Sequence, residues 1–176
     1  MGTATDRPLV LVLPGSGYGQ QAPLLWWTRA VAEQHDAEVL APSWDADDDA
    51  GTDPVGFVER SVERALGGRR PDLVVAKSFG CCALPWAVRN GIAGVWLTPV
   101  CTLGSVAAAS ATDVAVGGSA DPLWQPDAIG GGGARLQTVD GADHALEVRG
   151  DWRRSQRLQA EVLDLVEGRI AGLRAV

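Results

Sequence analysis

A chain of 176 residues with 46% hydrophobic and 21% charged residues is long enough to bury a core and too apolar to stay disordered. Its formal net charge of −7 argues against nucleic-acid and anionic-membrane partners, which call for a basic face. No apolar run approaches the roughly 20 residues of a bilayer span, Met1 to Pro8 does not read as a signal peptide, and three cysteines, with Cys81 and Cys82 adjacent, make no disulfide framework.

Leu9 to Leu13 is a continuous apolar run ended by Pro14-Gly15, the pattern of an inner parallel strand. The loop Gly15-Ser16-Gly17-Tyr18-Gly19 follows. Pro23 suits the first turn of a helix through about Gln34, with Leu24, Trp27 and Val31 at helical spacing. Glu38 to Ala41 reads as a short strand and Asp45 to Asp53 as an acidic loop. Asp53-Pro54 is an N-cap and first-turn signature; Val58, Val62, Ala65 and Leu66 form the buried stripe of the helix it opens, and Gly67-Gly68 stops it. Leu73 to Ala76 is a buried strand, followed at once by a helix-compatible segment, Cys81 to Val88.

Gly94 to Val100 is a fourth strand, and Leu103 to Ser110 is a small-residue segment with no clear pattern. Asp113 to Gly117 and Arg135 to Val139 are strands five and six, separated by a loop or short helix ending in Gly130 to Gly133. From Asp151 a long helix keeps Leu158, Val162, Leu165, Val166, Ile170 and Leu173 on one face. Strands alternating with helices predict an α/β domain spanning residues 1–176, with a doubly wound, mainly parallel, six-stranded sheet flanked by helices.

Between the third strand and its helix lies Ala76-Lys77-Ser78-Phe79-Gly80, the outline of G-x-S-x-G with alanine in the first glycine position. Small flanking residues let a strand turn directly into a helix with one serine at the apex. A serine hydroxyl is a weak nucleophile that needs a base, and the base needs an orienting acid. Of the two histidines, His35 ends the first helix beside Asp36 and reads as a surface residue. His144, in Asp140-Gly141-Ala142-Asp143-His144-Ala145, follows the last strand, where a loop reaches back over the strand ends. Asp121, in Gly117-Gly118-Ser119-Ala120-Asp121-Pro122, lies just past the carboxyl end of strand five, the edge where ligands gather in open α/β sheets. Asp113 is at the opposite end of that strand, and Asp140 and Asp143 are too near His144 in sequence for the right approach to Nδ1. Asp127 is the fallback. Ser78, Asp121, His144 is therefore the proposed catalytic order, that of the α/β-hydrolase triad. Phe79 N–H supplies one oxyanion donor, and Ser16 N–H, with Gly17 N–H next, the other. Gly15, Gly17 and Gly19 fit neither phosphate-binding glycine spacing.

At these stretches the chain resembles the small single-domain bacterial α/β hydrolases, mostly uncharacterised serine hydrolases. Leu13-Pro14-Gly15-Ser16-Gly17-Tyr18, Pro23-Leu24-Leu25-Trp26-Trp27 and Lys77-Ser78-Phe79-Gly80 carry the resemblance, and Trp96-Leu97-Thr98-Pro99, Gly117 to Pro122 and Gly141-Ala142-Asp143-His144 continue it in register. It implies the hydrolase fold and the triad and no particular substrate. Three departures are Ala76 for the first elbow glycine, Lys77 in place of the usual histidine or acidic residue before the serine, and Pro14 where many relatives have histidine.

The expected activity is hydrolysis of a carboxylic ester or thioester, on a small-molecule acyl substrate, with no cofactor and no metal. The setting expected from the cysteine usage is cytoplasmic, and the sequence carries no sign of a particular oligomeric state. Cys101 to Ala111 is too short for a lid domain. Among substrate-binding candidates, Lys77 faces either an anionic substrate or solvent, Trp124 and Trp26 suit pocket walls, and Tyr18 belongs to the glycine loop. Trp96 and Trp27 read as core, Trp86 and Trp152 as helix-packing residues, and Cys81 and Cys82 as small packing residues. Asp45, Asp47, Asp48 and Asp49 read as a solvated loop, not a metal loop. The same triad also serves acyltransferases, lyases and cyclisation catalysts, and a non-catalytic binding module on this scaffold is the remaining class.

Overall fold

A computed structural model of the protein describes residues 7–45, 48–100, 103–129 and 133–174. Six strands form one sheet: β1 (Leu9–Leu13), β2 (Glu38–Leu40), β3 (Leu73–Lys77), β4 (Gly94–Leu97), β5 (Val114–Gly118) and β6 (Arg135–Val139). Their order is β2-β1-β3-β4-β5-β6 and every pairing is parallel. The chain runs outward from β1 to β2, then returns to β3 on the other side of β1. Strands β1 and β3, in register at Leu13 and Ala76, thus flank the point where the winding reverses. Crevices at such points, outside the carboxyl ends of the strands, are where open α/β sheets bind ligands.

Helices cover both faces, so the inner strands read as unbroken apolar runs. Alternate residues serve opposite cores. Leu9, Leu11 and Leu13 with Val74 and Ala76 pack against α3 (Pro54–Leu66), the turn Ser78–Ala83 and α4 (Leu84–Arg89). Val10, Val12, Leu73 and Val75 pack against α1 (Pro23–Gln34) and α7 (Trp152–Ala171). Three shorter helices are α2 (Asp48–Thr52), α5 (Leu103–Ala108) and α6 (Pro126–Ile129). Edge strand β6 is largely exposed and polar, which leaves little apolar edge to pair with another chain. Among the described residues no helix is long and apolar enough to cross a membrane.

The helix signals in the sequence have direct structural counterparts. Asp53 Oδ1 accepts from Gly56 N at 2.9 Å, Pro54 sits in the first turn, and Gly67 ends α3 at φ +57°. Asp151 caps α7 through Arg154 N at 2.9 Å. Asp113 braces the sheet edge remote from the crevice. Its Oδ1 accepts from Gly94 N (2.7 Å) and Trp96 Nε1 (3.0 Å), and its Oδ2 from Ser110 N and Oγ.

β2, β3 and β5 (Glu38–Leu40, Leu73–Lys77, Val114–Gly118) lie within one residue of their expected bounds, and other stretches differ more or were left open by the sequence. The acidic loop contains α2, while Ala46 and Asp47 lie outside the described residues. The helix after the third strand begins as a 3₁₀ turn over Ser78–Ala83 and becomes α-helical only at Leu84, where Pro85 suits the first turn. Strand β4 stops at Leu97, short of Val100, because Thr98 turns the backbone to φ +47°. The segment from Leu103 is helical to Ala108; Cys101 and Gly130 to Gly132 lie outside the described residues.

Candidate active site

Ser78 follows β3 directly and has φ +51°, a conformation costing a non-glycine residue about 1–3 kcal/mol. The turn is held by close backbone packing beneath it. A methyl group on Gly80 would meet Pro14 O at 2.7 Å and Leu13 O at 2.9 Å, so only glycine lets the turn rest on the end of β1. Gly15 is less tight but also close, since its methyl would lie 3.3 Å from Ser78 Cβ. Ala76 is fully buried in the core under α3, which accommodates its methyl where the motif has glycine.

The loop after β6 carries His144 to the same edge. Ser119 N donates to Val139 O and Ala120 N to Ala142 O, both at 2.9 Å, pinning that loop to the end of β5. Asp143 closes it from within, its Oδ1 accepting from Ala145 N (2.8 Å) and Glu147 N (3.1 Å). Ser78 Oγ lies 2.8 Å from His144 Nε2, and His144 Nδ1 lies 2.7 Å from Asp121 Oδ2. Asp121 is nearly inaccessible, with a side chain 1% exposed against 35% for His144. Its second oxygen accepts from Leu123 N at 2.9 Å, so both carboxylate oxygens are held.

The glycine loop is closed by Gly15 N donating to Tyr18 O at 2.9 Å. Ser16 and Gly17 are exposed, and their amides meet no acceptor among the described residues. Phe79 N–H belongs to the first turn of the 3₁₀ segment, where such donors lack an intrahelical acceptor.

Lys77 departs from both expectations for it. It is 1% exposed and closed off from solvent. Its Nζ donates to Thr98 Oγ1 at 2.6 Å and to the His144 carbonyl at 2.7 Å, and stands 4.9 Å from the centre of the Tyr18 ring. Burial pushes this ammonium down to about 8, against the opposite pull of Cys81, Asp121, Asp143 and Glu147.

No protein-family profile matches the chain, and no curated protein matches it. Solved structures do. A CIB-like hydrolase from Thermoplasma acidophilum aligns with a TM-score of 0.59 and 15% identity, over 96% of this chain and 90% of its own. A hydrolase of the α/β superfamily from Xanthomonas campestris pv. campestris gives 0.60 and 22%, over 90% and 99%. Dienelactone hydrolase from Anabaena variabilis gives 0.59 and 17%, over 92% and 88%. The chain has an α/β-hydrolase fold.

On that fold the other singled-out residues fall in varied places. Trp124, expected as a pocket wall, is buried instead; its ring covers Gly117 and its Nε1 donates to Thr138 Oγ1 at 2.9 Å. Trp26 is an exposed residue of α1 with Arg29 over its ring. Trp27 and Trp152, expected inside, are 54% and 59% exposed. They border an open groove of about 950 Å³ between α1 and α7, whose lining includes neither Ser78 nor His144. Trp96 and Trp86 are buried, as are Cys81 and Cys82, and burial pushes the Cys81 thiol up. Tyr18 accepts from Leu24 N through its hydroxyl, and burial raises it too. His35 joins α1 to α7 through Glu167 at 2.8 Å. Asp127 is exposed on α6, and Asp140 pairs with Arg154 at 3.3 Å.

Two features of this edge have little or no signal in the sequence. Trp44, Phe57 and Phe79 form an aromatic cluster, with centroids 6.1–6.4 Å apart, beside the serine turn. No periodicity marks Trp44, which stands in an irregular stretch between β2 and α2. Thr98 is the other; in the sequence it falls inside the expected strand Gly94 to Val100 and within the stretch Trp96-Leu97-Thr98-Pro99, with nothing that marks its side chain for this role.

Proposed function

We propose that this chain is a serine hydrolase of carboxylic esters or thioesters, acting on a small-molecule acyl substrate through an acyl-enzyme intermediate. The observation that carries the proposal is the continuous pair of contacts, Ser78 Oγ to His144 Nε2 at 2.8 Å and His144 Nδ1 to buried Asp121 at 2.7 Å. Ser78 attacks the acyl carbon while His144 Nε2 takes its proton, and the same imidazole then protonates the departing alcohol or thiol. Asp121 fixes the tautomer with hydrogen on Nδ1 and stabilises the imidazolium as it forms. Water activated by His144 releases the acyl group. The exposed amides of Ser16 or Gly17, together with Phe79 N–H, receive the oxyanion, each such donor being worth about 3–4 kcal/mol.

The strained backbone of Ser78 fits this role, since strain of that kind gathers where a side chain must be presented against its neighbours. The decisive test is covalent labelling with a fluorophosphonate probe. Wild type is expected to label at one residue, and Ser78→Ala to remain unlabelled. Labelling that persists in Ser78→Ala, or a wild type that never labels, overturns the proposal.

A further inference from the structure

Lys77 is the only lysine in the chain; every other basic side chain apart from the two histidines is an arginine. The proposed chemistry gives it no task, yet it is buried beside the nucleophile. We propose that Lys77 is a positioning residue, its ammonium tying the His144 loop, the end of β4 and the glycine loop into one frame that holds the imidazole in line with Ser78. This role rests on the serine-hydrolase reading and deepens it.

An ammonium has three donors and no acceptor. Two are taken by Thr98 Oγ1 (2.6 Å) and the His144 carbonyl (2.7 Å), and the cation stands 4.9 Å from the Tyr18 ring centre, within the range for attraction to an aromatic face. Each anchor is itself fixed. Thr98 N donates to Val116 O at 2.6 Å, with the residue held at φ +47°. The Tyr18 hydroxyl accepts from Leu24 N at 3.1 Å, and the Tyr18 carbonyl closes the glycine loop. The tie to His144 is made at its own carbonyl, so a shift there shifts its ring. Ser78 is the next residue in the chain after Lys77, and nucleophile and base are therefore referenced to the same point of β3. A misplacement of about 1 Å in such an arrangement costs on the order of 100-fold in rate.

The cation is kept against a cost. Burial lowers it to about 8, and the groups that face it (Tyr18 from the glycine loop, Cys81 from the serine turn, Asp121 after β5, Asp143 and Glu147 from the His144 loop) form no direct ion pair with it. An apolar side chain of equal length would avoid that cost but leave the His144 carbonyl without a donor. Above the pH at which the ammonium loses its proton, the attraction to the ring and the charge-assisted bonds weaken together.

The test is the rate at which a fluorophosphonate labels Ser78 in the full chain, resolved into the binding constant and the maximal rate, between pH 6 and 10. Lys77→Met is expected to lower the maximal rate about 10- to 100-fold with binding changed less than about threefold. Thr98→Val, which keeps shape and deletes the acceptor, is expected to lower it also, and Thr98→Ser, which keeps the acceptor, to recover most of the loss. The wild-type rate is expected to fall as pH rises through about 8, and that limb to be missing in Lys77→Met. Wild-type rates in Lys77→Met at every pH, or Thr98→Ser impaired as much as Thr98→Val, overturn the positioning role while the hydrolase reading stands. A wild type that never labels removes both. Should Lys77→Met fail to fold, the Thr98 pair and the wild-type pH limb still decide.

Discussion

Lys77 also makes a quantitative prediction about stability, independent of any activity. Its ordinary value of 10.5 holds in the unfolded chain, against about 8 in the folded one. At pH 7 both states hold the proton; by pH 10 the folded state has released it while much of the unfolded state has not. Because the unfolded state then binds more protons, folding becomes more favourable as pH rises from about 8 toward 10.5. At roughly 1 kcal/mol or somewhat more per pH unit, the gain between pH 7 and 10 is about 2–3 kcal/mol.

Cys81 works the other way. Its thiol is raised above 9.0 by burial, so the unfolded chain ionises first and stability falls above that pH. The comparison that isolates Lys77 is therefore wild type against Lys77→Met, since Cys81 is present in both. Denaturant unfolding followed by circular dichroism at pH 7, 8, 9 and 10 gives the two curves. Their difference is expected to move by about 2–3 kcal/mol in favour of wild type across that range. Curves that stay parallel to within about 0.5 kcal/mol would show that Lys77 is solvated in the folded chain, and the burial described here would be wrong.

Two further outcomes probe the frame around the proposed triad. Asp121→Asn keeps the side-chain shape but not the charge or the acceptor facing Nδ1, and is expected to lower ester turnover about 10³- to 10⁴-fold with little change in KM; a loss below tenfold would remove Asp121 from the proposed role. In Gly118→Ala the new methyl would lie 2.0 Å from Ala142 O and 2.8 Å from Asp143 O, backbone atoms that cannot swing aside. The His144 loop must then move, so a stability loss of about 1–3 kcal/mol is expected together with slower Ser78 labelling; unchanged melting and labelling would show that the loop does not rest on β5.

Local signals were the legible ones. Pro23, Asp53-Pro54 and Asp151 mark their helix starts because capping depends on residues within one turn. The strands β1 and β6 match their sequence bounds, the first because burial on both faces makes it uniformly apolar. Side-chain facing in α1 was less readable. The spacing of Leu24, Trp27 and Val31 suggests one stripe, whereas the buried set is Leu24, Leu25, Thr28 and Ala32. Polar Thr28 disguises the true stripe, and Trp27 is left beside the groove. The end of β4 was unreadable for a tertiary reason, because Thr98 leaves the strand where Lys77, far away in sequence, needs an acceptor.

The same contrast separates what the candidate site shows in sequence from what it hides. Ser78, Asp121 and His144 each sit in a short segment with its own mark: small residues around a turn, an Asp-Pro after a glycine pair, a histidine after Gly-Ala-Asp. A parallel sheet gathers such segments at one edge, because every strand delivers its following loop to the same side. Their convergence therefore follows from order along the chain. Lys77 shares the marked turn of Ser78, but that stretch does not say which way its side chain points. In sequence it reads as facing either an anionic substrate or solvent, and only the meeting of Thr98, Tyr18 and the His144 carbonyl around its Nζ makes burial tolerable. The residue hardest to read was thus the one whose partners come from three separate loops. Its substitution separates a proposed triad whose members merely meet from one held in working geometry.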